Sequence, residues 1–259
     1  MTLNPPIRDW TSRRVWVIGA STGIGAACAS ALLARGARVA VSARSRAPLE
    51  DLARSARQGY ALPLPLDVIS SAELGAAFAS LRAQWGVPDL VLIAAGTHRP
   101  ARAWELDGET SRLLVETNLM GTLNVIQTVV PDLLTAGHGG IGILASVAGY
   151  RGLPTSLVYG ATKAALINLA ETLYLDLKPR GVDVYLINPG FVKTPLTDRN
   201  TFKMPALISP EEAAAATLDG IERGQFEIHY PKRFTWPMKV LEMLPYRLYF
   251  PLVRRITGL

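Results

Sequence analysis

The chain has 259 residues, 49% of them hydrophobic and 19% charged, with a formal net charge of +6: an ordinary globular composition, long enough for one α/β domain with a well-buried core, and free of solenoid repeats and low-complexity linkers. The single cysteine, Cys28, excludes an intrachain disulfide and reads as a packed thiol in the first helix, so a reducing, cytoplasmic setting is expected. The first eight residues hold two prolines and no apolar core, which argues against a signal peptide; no unbroken run of 18 apolar residues predicts a membrane-spanning helix; and His98, His138 and His229 are too scattered for a metal set and are expected on the surface or in loops.

Arg14–Ile18 reads as a short buried strand that leads directly into Gly19-Ala20-Ser21-Thr22-Gly23-Ile24-Gly25, followed by an apolar helical pattern through Ala27, Leu32 and Leu33. Strand, glycine loop and helix in this order form the phosphate-binding turn of a dinucleotide fold: glycines let the backbone approach a pyrophosphate, and the helix N-terminus supplies N–H groups. The spacing here is GxxxGxG rather than GxGxxG. The next strand, 38–43, ends at Ala43-Arg44, with no acid where a carboxylate would hold ribose hydroxyls and select NAD. Arg44 offers a planar, permanent cation to a 2′-phosphate, which favours NADP(H); the alternative is that Arg44 and Arg46 are solvated loop charges.

Helical stretches at 47–57, 70–85, 107–134 and 157–178 then alternate with strands at 61–66, 89–94, 141–145 and 182–187. This alternation predicts an α/β fold, a doubly wound parallel sheet of Rossmann-like, three-layer αβα form, as a single domain over 1–230. The 141–145 strand ends at Ser146, 13 residues before Tyr159, and a strand-end hydroxyl can meet a tyrosine on the following helix. Tyr159 and Lys163 lie one turn apart on one helix face. A cation beside a phenol favours the phenolate and brings its pKa of about 10 toward neutrality, although the pair by itself fits any amphipathic helix. The 182–187 strand runs into Asn188-Pro189-Gly190-Phe191-Val192-Lys193-Thr194-Pro195, a sharp turn at a strand C-terminus, where open α/β sheets bind ligands.

Together these residues resemble the short-chain dehydrogenase/reductase family in its single-domain form. The match runs from Arg14 to Thr194 through Gly19, Gly23 and Gly25, Asp67-Val68, Ala95-Gly96, Asn118, Ser146, Tyr159, Lys163 and Pro189-Gly190. The resemblance implies that Tyr159 is the general acid for carbonyl reduction and the base for alcohol oxidation, and that Ser146 stabilises the substrate oxygen. By the same resemblance Lys163 binds the nicotinamide ribose and lowers the tyrosine pKa, while Asn118 supports a water in the proton relay. It further implies an NADP(H) site of Gly19, Ser21, Thr22, Gly23, Ile24, Gly25, Arg44, Asp67, Val68, Ala95, Gly96, Tyr159, Lys163, Pro189, Gly190, Val192 and Thr194, with Asp67 toward the adenine, Thr194 toward the carboxamide, and no metal. A homodimer or homotetramer on helices 107–134 and 157–178 is also implied. The chain departs from the family at Ile93 and Ala94, where two asparagines are usual, and at Ile18, where a threonine is frequent; the first departure is expected to alter stability or cofactor affinity and not to abolish activity.

From Tyr230 onward, Lys232, Arg233, Lys239, Arg247, Arg254 and Arg255 face a single acid, Glu242, so the end of the chain carries +5 of the net +6. This extension, 231–259, is also strongly apolar; Met238, Leu241, Leu248, Leu252 and Ile256 fall near one helical face, and Pro245 and Pro251 are expected to break it into short segments. It can cover the active-site mouth as an apolar wall, form an oligomer interface, or lie on an anionic membrane surface. Nucleic acid is not the expected partner, since no reader motif accompanies the charge. The segment 196–208, the family's substrate lid, adds Phe202, Met204, Pro205, Leu207 and Ile208. The expected activity is NADPH-dependent reduction of a ketone or aldehyde with a hydrophobic body, or the reverse oxidation of its alcohol; the alternative is a non-catalytic NADP(H) sensor or membrane-recruited scaffold.

Overall fold

A computed structural model of the chain describes residues 2–258 apart from Thr201 and Lys203. Seven strands, β1 (Arg14–Ile18), β2 (Arg38–Ser42), β3 (Ala61–Pro63), β4 (Leu90–Ile93), β5 (Gly140–Leu144), β6 (Asp183–Pro189) and β7 (Glu227–Tyr230), form one parallel sheet in the order β3-β2-β1-β4-β5-β6-β7. The helices are α1 (Gly23–Ala34), α2 (Arg46–Ser55), α3 (Ser71–Trp85), α4 (Gly108–Val115), α5 (Gly121–Ala136), α6 (Leu157–Leu177), α7 (Pro210–Glu222), α8 (Lys232–Met243) and α9 (Tyr246–Thr257).

Strand alternation divides the core in two. Trp16, Ile18, Val91 and Ile93 pack on one face against Leu74 and Phe78 of α3, Val125 and Val129 of α5, and Leu166 and Ala170 of α6. Val15, Val17, Leu90 and Leu92 pack on the other against Cys28 and Leu32 of α1, Leu49 of α2, and Leu218 and Ile221 of α7. This is the doubly wound, three-layer arrangement that the alternating sequence predicts. Burial pushes the Cys28 thiol up to about 12, so it is inert packing.

Several boundaries differ from expectation for local reasons. Strand β3 stops at Pro63, short of Leu66, yet Leu64 and Leu66 still donate to the Val41 and Ala43 carbonyls of the β2 side at 2.9 and 3.1 Å. Alternation therefore turns Pro63 and Pro65 to the unpaired side of this edge strand, where the missing N–H breaks no ladder bond. Strand β7 is not anticipated by the sequence: Glu227–Tyr230 is four residues, two of them polar, and is defined by its pairing with Leu186–Pro189. The predicted helix 107–134 is interrupted by a π turn at Glu116–Met120. Although no unbroken 18-residue apolar run predicts a spanning helix, the helical run Gly108–Ala136 is long and apolar enough to cross a membrane, with mean hydropathy 1.2. In this fold its apolar side, Val125, Val129 and Leu133, is core.

Pro245 separates α8 from α9 as expected, whereas Pro251 lies inside α9. Pro131, Pro237 and Pro251 all sit inside helices at exposed positions, and so do Gln127, Arg233 and Arg247 four residues earlier, whose freed carbonyls can turn to water. His98 is in the loop after β4, as expected, though buried there; His229 is buried in β7, contrary to expectation; and His138 is exposed. His229 is held by Thr235, its Nδ1 2.6 Å from the hydroxyl, which ties β7 to α8.

Candidate active site

At the C-terminal ends of the central strands lies a cleft of about 500 Å³. The turn after β1 is fixed by backbone approach. Gly19 has φ +94°, and a Cβ there would stand 2.4 Å from the Ala95 nitrogen; a Cβ on Gly25 would stand 2.2 Å from the Gly19 carbonyl oxygen. These two glycines press the strand, the loop and the first turn of α1 against the end of β4. Thr22 caps α1 without a side-chain hydrogen bond, and the first turn has no acidic residue, so its leading N–H groups suit an anion.

All the predicted cofactor residues line this one cleft, from Arg44, Asp67 and Val68 at one end, past Ser21 to Gly25 and Ala95-Gly96, to Pro189, Gly190, Val192 and Thr194 at the other. Ser146, Tyr159 and Lys163 line it too, whereas Asn118 stands behind it. Arg44 is exposed, with Ala43 beside it, while its neighbour Arg46 pairs with Glu50 at 3.5 Å. Among the described residues, no group of three or more His, Cys, Asp or Glu gathers that could hold a metal ion.

The catalytic candidates are held by hydrogen bonds, local at Ser146 and long-range at Lys163 and Asn118. Ser146 sits just past β5, its Oγ accepting from the Ala148 N–H at 3.1 Å. Lys163 is buried on α6 and donates from Nζ to the Leu144 carbonyl at 2.7 Å. Burial lowers its pKa to about 8. Burial raises the Tyr159 phenol above its ordinary value, and the hydrogen bond with Ser146 pulls it back in part. This departs from the expected tuning by Lys163: its Nζ is 5.7 Å from the tyrosine ring centroid and engaged with a carbonyl, so desolvation decides the direction and Ser146 is the group that opposes it.

Asn118, in the π turn, accepts from the Thr97 N–H at 2.7 Å and donates to the Thr97 carbonyl at 3.0 Å and to the Thr162 hydroxyl at 3.2 Å. Its side chain therefore clips the chain beyond β4 to α6. Gly96 passes between it and Lys163: a Cβ there would be 3.3 Å from Asn118 Oδ1 and 3.7 Å from Lys163 Nζ. Ala94, one of the two departures, donates its N–H to the Ile18 carbonyl at 2.7 Å, so strand pairing is kept without the asparagine.

One residue that sequence reasoning missed is His98. Its ring meets that of Tyr159 edge-on, centroids 4.5 Å apart, and its Nε2 lies 3.4 Å from Asn200 Oδ1 in the segment after β6. Burial lowers its pKa. Its place two residues beyond Ala95-Gly96, at a strand end, was the available signal. Thr97, Arg99, Leu113, Leu144 and Leu196 also line the cleft. No described residue of 231–259 does; the extension approaches only through Phe234, whose ring packs on Phe191 at 5.3 Å, while Phe191 meets Phe202 at 5.7 Å.

The family model described as short chain dehydrogenase matches residues 13–204. The chain is similar to an uncharacterized oxidoreductase of Myxococcus xanthus, 34% identical over 250 residues that cover 96% of this chain and 99% of that one. It is also similar to the structure of a short chain dehydrogenase from Burkholderia cenocepacia in complex with NADP, 28% identical, with a TM-score of 0.80 over 97% of this chain and 99% of that one. A short chain dehydrogenase/reductase from Burkholderia phymatum in complex with NAD, 22% identical, shares the fold, with a TM-score of 0.82 over 90% and 94% of the two chains.

Proposed function

The chain belongs to the short-chain dehydrogenase/reductase family of nicotinamide-dependent oxidoreductases, and on that premise we propose that it is an NADP(H)-dependent enzyme that reduces a hydrophobic ketone or aldehyde, or oxidises the corresponding alcohol. The observation that carries this reading is the meeting of Ser146, Tyr159 and Lys163 in one cleft with the glycine turn and Arg44. The cleft suits a dinucleotide: the uncapped, acid-free first turn of α1 can take the pyrophosphate, and Arg44 beside Ala43 can take a 2′-phosphate. Leu113, Val192 and Leu196 in the lining favour an apolar substrate body.

The cofactor, when bound, supplies or accepts the hydride. The residues of the chain manage the oxygen and its proton. Burial keeps the Tyr159 hydroxyl protonated at neutral pH, so it can donate to a carbonyl oxygen: its O–H bond breaks as the substrate O–H bond forms. The Ser146 hydroxyl, hydrogen-bonded to Tyr159, stabilises charge developing on the same oxygen. Lys163, with a pKa of about 8, is mostly an ammonium at neutrality and is placed to hold ribose hydroxyls and to return the proton. Asn118 braces the strand end that carries Gly96. A cytoplasmic homodimer or homotetramer built on the α4 to α6 face, where Met120, Leu157 and Leu175 are exposed, belongs to the same reading.

The test is NADPH and NADH oxidation over a series of carbonyls from short polar ketones to long-chain and polycyclic ones. Turnover should rise with apolar size, Tyr159→Phe should lower kcat about 10²–10⁴-fold with cofactor binding retained, and Arg44→Ala should weaken NADPH about 10-fold or more while sparing NADH. Undiminished turnover in Tyr159→Phe would remove the catalytic assignment.

A further inference from the structure

The two C-terminal helices bury few residues and leave two apolar stripes exposed. In α9, Tyr249 and Val253 are buried, at i and i+4, but the adjacent stripe Leu248, Leu252 and Ile256, at i, i+4 and i+8, is exposed. In α8, Thr235 and Met238 are buried, whereas Trp236, Val240 and Met243 recur at i, i+4 and i+7 on an exposed side, Met243 at 84% exposure. Scattered exposed apolar residues are ordinary; two stripes on consecutive helices that include Trp, Met, Leu and Ile are not.

Charge accompanies both stripes. Arg233 precedes Trp236 by one turn and Arg255 borders the Leu248–Leu252–Ile256 stripe, whereas Arg247 and Arg254, at i and i+7, lie on the far side of α9 from that stripe. All four are exposed, and none pairs with an Asp or Glu among the described residues. In contrast, Lys239 is neutralised by Glu227. The charge left outward is thus the charge without an internal partner.

We propose that α8–α9 docks on an anionic lipid bilayer, with the Leu248–Leu252–Ile256 and Trp236–Val240–Met243 stripes entering the headgroup boundary and Arg233 and Arg255, at the edges of these stripes, meeting lipid phosphates and carboxylates. Charge decides between this occupant and a second copy of the chain. Self-association through these stripes would bring the unpaired Arg233 and Arg255 of two copies together, whereas an anionic surface complements both. The inner side of the same helices holds the loop between Ser146 and Tyr159: Tyr249 donates to the Gly152 carbonyl at 2.6 Å, and Arg151 donates to the Leu241 and Glu242 carbonyls, each at 3.0 Å. Docking therefore ties the bilayer to the loop that joins Ser146 to Tyr159.

The experiment is sedimentation of the full-length protein with vesicles of phosphatidylcholine, or of phosphatidylcholine mixed with phosphatidylserine, at low and high salt. Binding to the anionic vesicles is expected to exceed binding to neutral ones about 10-fold at low salt and to fall as salt rises. The double variant Arg233→Glu/Arg255→Glu should lose that preference, and Leu248→Ser/Ile256→Ser should lose binding with the charge intact. Thermal melting of both variants shows that they are folded. Equal partition to neutral and anionic vesicles, or none to either, overturns the proposal; so does absence of binding together with an oligomer that the Leu248→Ser/Ile256→Ser variant dissociates, which makes the face a contact between copies.

Discussion

The glycine turn lines the cleft and the α8–α9 extension only approaches it, through Phe234, and the two are held in opposite ways. Around Gly19 and Gly25 the backbones approach so closely that a methyl group has no place, and the functional groups beside them are clamped by hydrogen bonds from Lys163 to Leu144 and from Asn118 to Thr97. The extension rests on a few side chains: Met238, Tyr249 and Val253 inward, with Arg151 across the carbonyls of Leu241, Glu242 and Leu244 and stacked on Tyr246 and Tyr249. A region that must place reacting atoms is determined by backbone geometry; a region that needs only to present a surface is anchored at points.

This contrast can be broken by substitution. Gly19→Ala forces a Cβ to within 2.4 Å of the Ala95 nitrogen at φ +94°; stability should fall by about 2–4 kcal/mol, and cofactor affinity with it, in thermal melts with and without NADPH. A variant that melts like the parent would show that the turn yields more than the geometry allows. Next in size, Arg151→Ala removes the cation over the C-terminal carbonyls of α8, and a loss of about 1–2 kcal/mol is expected, with faster proteolysis after α7 and an intact cofactor site. Unchanged proteolysis would mean that Tyr249 and Met238 suffice as anchors.

A pH dependence is expected at the root of the extension. Burial, with Lys232 and Lys239 nearby, lowers His229 from 6.5 to about 4. The unfolded chain thus binds the proton first as pH falls, so this contribution is whole above pH 6.5 and is lost as the pH drops toward 4. The melting temperature of the parent should decline more steeply across that window than that of His229→Asn; parallel profiles would place the acid sensitivity elsewhere.

The same contrast governs what the sequence discloses. Gly19, Gly23 and Gly25 announce their turn because only glycine fits there, and the strands Arg14–Ile18 and Gly140–Leu144 announce themselves as unbroken apolar runs between helical patterns. Ser146, Tyr159 and Lys163 were legible through spacing and resemblance together. What was illegible depends on partners distant in the chain. Strand β7 exists because Leu186–Pro189 offers it a ladder, His98 meets Tyr159 across a turn no spacing rule describes, and the clamp of Arg151 on α8 spans about 90 residues. The direction of the Tyr159 shift was also hidden, because water exclusion is a property of the packed site and not of the Tyr-x-x-x-Lys spacing. Pro251 misled because a proline breaks a helix only where the carbonyl four residues back has no other partner.

The edge strand β3 has a consequence for the protein as a solute. An exposed sheet edge is a template on which another chain can add a strand. Pro63 and Pro65 turn their ring nitrogens outward along this edge, so an incoming strand would meet two successive positions with no donor. The residues that shorten the strand thus also guard it, and the sheet ends there in a side that cannot be copied.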